Sequence, residues 1–314
     1  MTFSTRQIML IVAGSTLPAI GALTWLYGWG VLWNFVWLIA ACYATEWVCL
    51  SAKAETDATD AEHSINDPLT DGSCLVTAIL MGICLPPFTD WWLLVLASVS
   101  AIGLAKHAYG GVGRNLFNPA MVGYAVVIVS YPEALRHWPE WAGNDVDALS
   151  GATLLTEFRY RDGLTVAEFE LLHDNTMDRY TLPAWLFLGG GAVLTVLRLI
   201  AWRIPAGCFA GLALAALFGF DQGSSLSHGS FSFHLLSGGF AAAACYVATD
   251  PVTHPAARLH QWLFGVVVGL LTYLIRAFGV FPDGIAFAVL LANCLTPFLN
   301  RLHRMRLTTL KANV

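Results

Sequence analysis

The chain has 314 residues, of which 57% are hydrophobic and only 12% are charged, and its mean hydropathy is +0.63. This composition is too apolar for a soluble domain and predicts an all-α polytopic membrane protein. The net charge is −5, and lysine and arginine are thinly spread, with one small cluster at the C-terminus. A nucleic-acid-binding surface is therefore excluded, and no nucleic-acid partner is expected.

About ten apolar segments are candidates for transmembrane helices, because a bilayer core of about 30 Å needs about 20 apolar residues per helix. The first five are Ile8–Tyr27, Val31–Leu50, Ser73–Leu85, Trp91–Lys106 and Pro119–Tyr131. The last five are Pro183–Leu199, Pro205–Phe220, His234–Ala248, Ala257–Phe278 and Gly284–Leu299. We therefore expect four parts: a five-helix membrane half at 1–131, a polar loop at 132–182, a second five-helix half at 183–300 and a basic tail at 301–314.

The orientation follows from the short loops that carry lysine and arginine. With ten helices, these loops fall on one side, which predicts cytoplasmic termini and a periplasmic 132–182 loop. Five helices per half also invert the second half relative to the first. The third segment of each half is too short to span and ends near proline, at Pro86-Pro87 and at Asp250-Pro251. Paired broken helices of this kind commonly line a site within the membrane.

The cysteines and histidines show no pattern of a metal centre. None of the seven cysteines lies in a C-x-x-C motif, and an iron–sulfur cluster held by one chain would need several at close spacing. The spacing of His107, His234 and His254 also does not suit a metal. We expect the cysteines to be small core residues and no metal to be bound.

The most informative polar sequence is the heptad Asp147–Thr153, DALSGAT. It is similar to a segment, D-x-x-[ST]-G-A-[ST], that carries covalent FMN through a phosphoester on its last hydroxyl residue, here Thr153. A random chain of this length would contain the full pattern roughly once in several hundred cases. Gly151 and Ala152 leave space for a flavin transferase, while Asp147 would be recognised by it. The alternative is an ordinary turn made by Ser150 and Gly151.

A second polar cluster is the run GGVGRNLFNPA at 110–120. Its glycines could bring backbone amides close to an anionic or ring ligand, with Arg114 as counter-charge, and Asn115 and Asn118 are further candidates for a ligand site or an ion path. The alternative is structural: the glycines form a tight turn, Asn118 caps the next helix and Pro119 takes its first position.

Three acidic residues in or near the apolar segments are candidates for a cation path. Asp250 lies at the end of an apolar segment, where a carboxylate is costly unless it faces protein, water or an ion. It could instead cap the following helix, with Pro251 at the first position. Glu46 and Asp283 are candidates of similar weight.

Several blocks, in order along the chain, carry a resemblance to one family. They are Asp71–Ala78, Leu85–Pro87, Asn115–Tyr124, Ser150–Thr153, Thr249–Val252, Asp283–Ala288 and Asn293–Pro297. On these blocks the chain resembles the RnfD/NqrB family of membrane subunits. Only a few residues precede the first helix, which makes it more similar to the RnfD branch. It departs from many relatives at Leu154, where they have proline.

The resemblance implies a subunit of an ion-translocating ferredoxin:NAD+ oxidoreductase in the bacterial inner membrane, not catalytic on its own. Covalent FMN on Thr153 and a noncovalent riboflavin at an unassigned site are implied as cofactors. The implied partners are other membrane and peripheral subunits, including iron–sulfur and flavin subunits, a flavin transferase, and Na+ or H+. Two alternatives stay open: an NqrB-like subunit of a quinone-reducing Na+ pump, and a non-redox channel or transporter with a similar inverted repeat.

Overall fold

A computed structural model describes residues 3–56, 69–135, 138, 154–161, 163–281 and 283–312. The first group of helices comprises α1 (Thr5–Tyr27), α2 (Gly30–Thr56), α3 (Ser73–Cys84), α4 (Trp91–Val99) and α5 (Pro119–Ser130). A π-helical turn at Ser100–Leu104 continues α4. Helix α1 begins with a capping box, because the Ser4 hydroxyl accepts from the Gln7 amide and the Gln7 side chain accepts from the Ser4 amide.

The remaining helices follow the polar stretch after α5. They are α6 (Leu154–Arg159), α7 (Val166–Leu172), α8 (Asp174–Val196), α9 (Arg203–Gly219), α10 (Phe231–Leu236), α11 (Phe240–Ala242), α12 (Arg258–Phe278) and α13 (Ile285–Ala312). A second π-helical turn, Ala243–Val247, continues α11. Each of the ten predicted apolar segments coincides with one or more of these helices.

Within the described residues, five helical stretches are long and apolar enough to cross a membrane: Thr5–Tyr27, Gly30–Lys53, Trp91–Tyr109, Arg258–Phe278 and Ile285–Met305. Shorter apolar helices occur at Ser73–Cys84, Pro119–Ser130 and Arg203–Gly219. The prediction of an all-α polytopic membrane protein is thereby confirmed. The inversion of the two halves and the four-part division of the chain stay predictions.

Three of the expected segments differ from the structure in ways that matter for the site. Helix α8 begins at Asp174, so Pro183 lies inside it rather than at its start. The segment expected at His234–Ala248 is broken at Ser237–Gly239, where Gly238 adopts a left-handed conformation (φ +66°). Helix α13 continues to Ala312, well past the predicted end of the last span at Leu299.

By its internal contacts the chain divides into two compact units. Unit 1 comprises residues 1–115, 119–153 and 185–199, and unit 2 comprises 116–118, 154–184 and 200–314. In unit 1, α1, α2 and α3 share an apolar core that includes Ala13, Ile20, Val31, Phe35 and Ile79. A Cβ atom on Gly82 of α3 would lie 2.4 Å from the Phe35 ring, so glycine is needed where α2 and α3 approach.

Unit 2 is held together by a close helix pair, α9 and α12. A Cβ atom on Gly211 would lie 2.1 Å from the Val266 carbonyl oxygen, and one on Gly269 would lie 2.0 Å from that of Cys208. Gly207 and Gly265 are similarly placed against the facing backbone. Helices in membranes gain packing contacts when small residues allow such an approach. The glycines of α9 and α12 therefore set the distance between the two helices.

Candidate functional site

The predicted flavin site, Asp147, Ser150, Gly151, Ala152 and Thr153, lies outside the described residues. The described chain resumes at the next residue, Leu154, which is the first residue of α6 and is buried at 7% exposure. Attachment of FMN to Thr153 therefore stays a prediction. The structure does show the surroundings of Leu154, the residue that follows Thr153.

Leu154 belongs to a small apolar core built by α6, α7 and α10. Its buried members are Leu154, Leu155, Phe158, Val166, Phe169 and Phe233. The Phe158 ring lies 4.2 Å from that of Phe233 and 5.2 Å, edge to face, from that of Phe169. Residues 154–161 and 163–172 of the predicted polar loop thus pack against the facing segment 221–233, and we call these two parts together the cap.

One arginine joins the two parts of the cap. The Arg161 guanidinium lies over the Phe158 ring, 4.1 Å from its centroid. It donates to the carbonyl oxygens of Phe158 and Leu164 on its own side, each at 2.9 Å. Across the cap it donates to those of Ser225, at 3.1 Å, and Ser227. Sequence reasoning placed Arg161 in a long loop and gave it no role.

The glycine run at 110–120 forms the tight turn that the structural alternative predicted. Gly110, Gly111 and Gly113 have φ values of 109°, 104° and 81°, a backbone conformation that residues with a side chain rarely adopt. Arg114 folds back on the turn, so that a Cβ atom on Gly110 would lie 3.0 Å from its Cδ. Asn115 is buried. Binding of a ligand or ion by this turn stays a prediction.

Helix α5 begins at Pro119, as predicted, and Asn118 before it enters a buried polar network in unit 2. The Asn118 amide donates to Asn293 Oδ1 at 3.1 Å, and its Nδ2 donates to the Val247 carbonyl at 3.4 Å. The Thr253 carbonyl accepts from Asn293 Nδ2 at 3.3 Å and from Thr296 Oγ1 at 2.8 Å. The network joins the end of the second π-helical turn to α13.

Asp250 does not cap the next helix, so that alternative was wrong. Its carboxylate accepts from the Val252 amide and the Thr253 hydroxyl, each at 3.2 Å, and α12 begins only at Arg258. The physical reason is Pro255, which would remove a backbone donor from any helix started at Pro251. Asp250 instead shapes a turn directly beside the Asn118 network.

Asp283 forms an ion pair with a buried arginine of α12. Its Oδ1 lies 3.0 Å from Arg276 Nη2, and its Oδ2 accepts from the Gly239 amide at 2.8 Å. Arg276 also donates to the carbonyls of His234, at 2.7 Å, and Ser237, at 3.2 Å. The His234 carbonyl belongs to the last turn of α10, and the Ser237 carbonyl and the Gly239 amide belong to the break between α10 and α11. The pair therefore satisfies backbone groups that a broken helix leaves without partners.

Glu46 forms another ion pair, in unit 1, in which both side chains are buried. Lys106 Nζ lies 2.9 and 2.8 Å from its two carboxylate oxygens and 2.9 Å from the Ser73 hydroxyl. The two side chains are 4% and 0% exposed, and His107 Nε2 lies 3.1 Å from Glu46 Oε2. Sequence reasoning placed Lys106 at a cytoplasmic helix end and missed this pair. Among the described residues, no three of His, Cys, Asp and Glu lie together as metal ligands would.

Comparison with known proteins places these features in a family. Residues 1–308 match the model of the NQR2, RnfD, RnfE family. The D subunit of the ion-translocating oxidoreductase complex from Pseudomonas aeruginosa is 38% identical, over 96% of this chain and 91% of the relative. Relatives of the same name from Cellvibrio japonicus and Alcanivorax borkumensis are each 36% identical, over 94% and 95% of this chain and 88% and 90% of the relatives. The chain belongs to the NQR2, RnfD, RnfE family.

Proposed function

We propose that the chain is the D subunit of an Rnf-type ion-translocating oxidoreductase complex and carries electrons on FMN bound covalently to Thr153. The observation that carries the proposal is the heptad Asp147–Thr153 in a chain that matches the family from residue 1 to residue 308. The named relatives are subunits of an ion-translocating oxidoreductase complex. The chain acts as part of that translocase and is not catalytic alone.

The complex would couple redox chemistry between ferredoxin and NAD+ to the movement of Na+ or H+. One flavin cannot carry electrons across about 30 Å of hydrocarbon, so iron–sulfur or flavin carriers in neighbouring subunits are needed, and a noncovalent riboflavin would serve within the membrane part. Reduction adds negative charge in a medium of low dielectric constant, which attracts a cation. The polar groups around Glu46, Asp250 and Asp283 are the candidates for its path.

The proposed location is the bacterial inner membrane, with both termini cytoplasmic and the flavin-bearing loop periplasmic. Tyr160 suits a test because it follows α6 and is 66% exposed. Tyr160→Cys, in a chain whose exposed Cys294 is replaced by serine, is expected to react with an impermeant thiol reagent added to whole cells with a permeabilised outer membrane. Labelling only after the inner membrane is opened would place the loop in the cytoplasm and contradict the orientation.

Thr153→Ala is expected to abolish covalent flavin completely, because it removes the hydroxyl oxygen that would carry the phosphoester. The measurement is in-gel flavin fluorescence of the denatured chain after coexpression with a competent flavin transferase. Thr156→Ala, three residues further on, is the matched control and should keep the fluorescent band. Thr153→Ser retains a hydroxyl and should keep part of it. A dark wild-type band, or a band that survives Thr153→Ala, would contradict the assignment.

A further inference from the structure

The cap fixes the chain at the residue that follows the proposed flavin threonine. Leu154 and Leu155 are 7% and 6% exposed, and Phe158, one turn later, is 4% exposed. Moving this stem, residues 154–158, would expose the three side chains, each of which stabilises the cap by about 1.5–3 kcal/mol when fully buried.

Arg161 closes the cap in a way that few other side chains can. Its guanidinium binds carbonyls on both sides, at 158 and 164 on one and at 225 and 227 on the other. A planar group with five donors can meet all of them at once, whereas a lysine ammonium has three donors at a single point. Two segments that are distant in sequence are thereby held together.

The cap also packs against a defined part of unit 2, the backbone at Gly238. A Cβ atom on Gly238 would lie 2.6 Å from Leu155 Cδ1, 2.7 Å from Asp283 Oδ2 and 3.1 Å from Arg276 Nη2. The stem therefore packs directly against the break between α10 and α11, beside the ion pair of Asp283 with the buried Arg276. A side chain at residue 238 would have to displace the ends of all three side chains, so the stem and the ion pair both contact this break.

We propose that the cap is the pivot of the covalent flavin and that Arg161 is the positioning residue that keeps the pivot in place. This inference rests on the proposed function. A cofactor bound next to a fixed stem searches only the volume that its own phosphoester arm reaches, whereas one on a long free loop searches a much larger volume. Fixing the pivot raises the local concentration of the flavin at its electron-transfer partners, as a short tether does for a ligand.

The test compares Arg161→Gln and Arg161→Lys with Arg159→Gln, a matched control two residues earlier whose guanidinium lies over the exposed Tyr160 ring. All chains are coexpressed with the flavin transferase and purified. Time-resolved anisotropy of the flavin fluorescence then reports how freely the flavin rotates. Both Arg161 variants should keep the covalent band and lose roughly half of the residual anisotropy through local opening of the cap. Arg159→Gln should match the wild type.

Unchanged anisotropy in flavin-loaded Arg161→Gln would overturn the pivot, and so would an equal loss in Arg159→Gln. A dark band in the wild type would contradict the proposed function instead. A measurement on the wild-type chain covers the case in which the Arg161 variants fail to fold. Amide hydrogen exchange at 154–161 should be about as slow as in α12, and exchange as fast as in an unprotected peptide would also overturn the proposal.

Discussion

Lys106→Met is expected to destabilise unit 1 by about 3–5 kcal/mol, the usual cost of removing one partner of a buried ion pair. The Glu46 carboxylate would remain fully buried without its lysine, next to His107 Nε2 at 3.1 Å and the Cys74 thiol at 3.3 Å. Methionine has a similar length to lysine, so little of the loss would come from a cavity. The measurement is the unfolding midpoint of the purified chain in mild detergent, followed by denaturant or heat.

Glu46→Gln together with Lys106→Met provides the control. The double variant removes both charges, so it should recover a large part of the stability that the single variant loses, because an uncompensated buried charge costs more than a missing pair. If the double variant is as unstable as the sum of the two single variants, the pair contributes through packing and the charge argument fails.

Gly269→Val is expected to destabilise unit 2 by about 3 kcal/mol or more, since overpacking a tight core costs about 1–3 kcal/mol and the obstacle here is backbone. Even the Cβ atom would fall 2.0 Å from the Cys208 carbonyl oxygen. Unlike a flexible side chain, that oxygen can withdraw only if α9 and α12 move apart. The separation would weaken the contacts that Gly207, Gly211 and Gly265 allow along the same seam.

Gly189→Val in α8 is the matched control, because a Cβ atom there would meet nothing within 4 Å. Its effect should be small, since valine replaces a poor helix former without entering a packed interface. Unfolding midpoints measured under the same conditions compare the two variants. Equal midpoints for Gly269→Val and the wild type would show that α9 and α12 do not depend on this approach.

The lengths of the apolar segments predicted the helices well, because whether a segment can be buried in lipid depends on its own residues and not on a partner elsewhere in the chain. The ten predicted segments coincide with helices, and Pro119 starts α5 as its backbone chemistry requires. The family was equally readable, since its blocks lie in order along the chain. One sequence signal within the cap was missed: Thr165 and Glu168 form a capping box, which marks the start of α7.

The polar contacts could not be read in the same way, because they join residues that are distant in sequence. Lys106 meets Glu46 across 60 positions, and Arg161 meets Ser227 across 66. The spacing of residues along one helix predicts which side chains are exposed. It does not identify a partner elsewhere in the chain. At Asp250 the error was the opposite one. A local capping rule predicted a helix that starts at Pro251, and Pro255 prevents that helix.

The π-helical turn at Ser100–Leu104 has a consequence for the ion pair that follows it. A π-turn contains one more residue than an α-turn, and one residue corresponds to about 100° of rotation around a helix axis. Ala105 and Lys106, which directly follow the turn, are therefore rotated by about that angle relative to an unbroken α-helix. In a continuous α-helix Lys106 would leave α4 on a different face, away from the one that now brings its ammonium to Glu46. The extra residue thus rotates Lys106 to the face from which its ammonium reaches the Glu46 carboxylate.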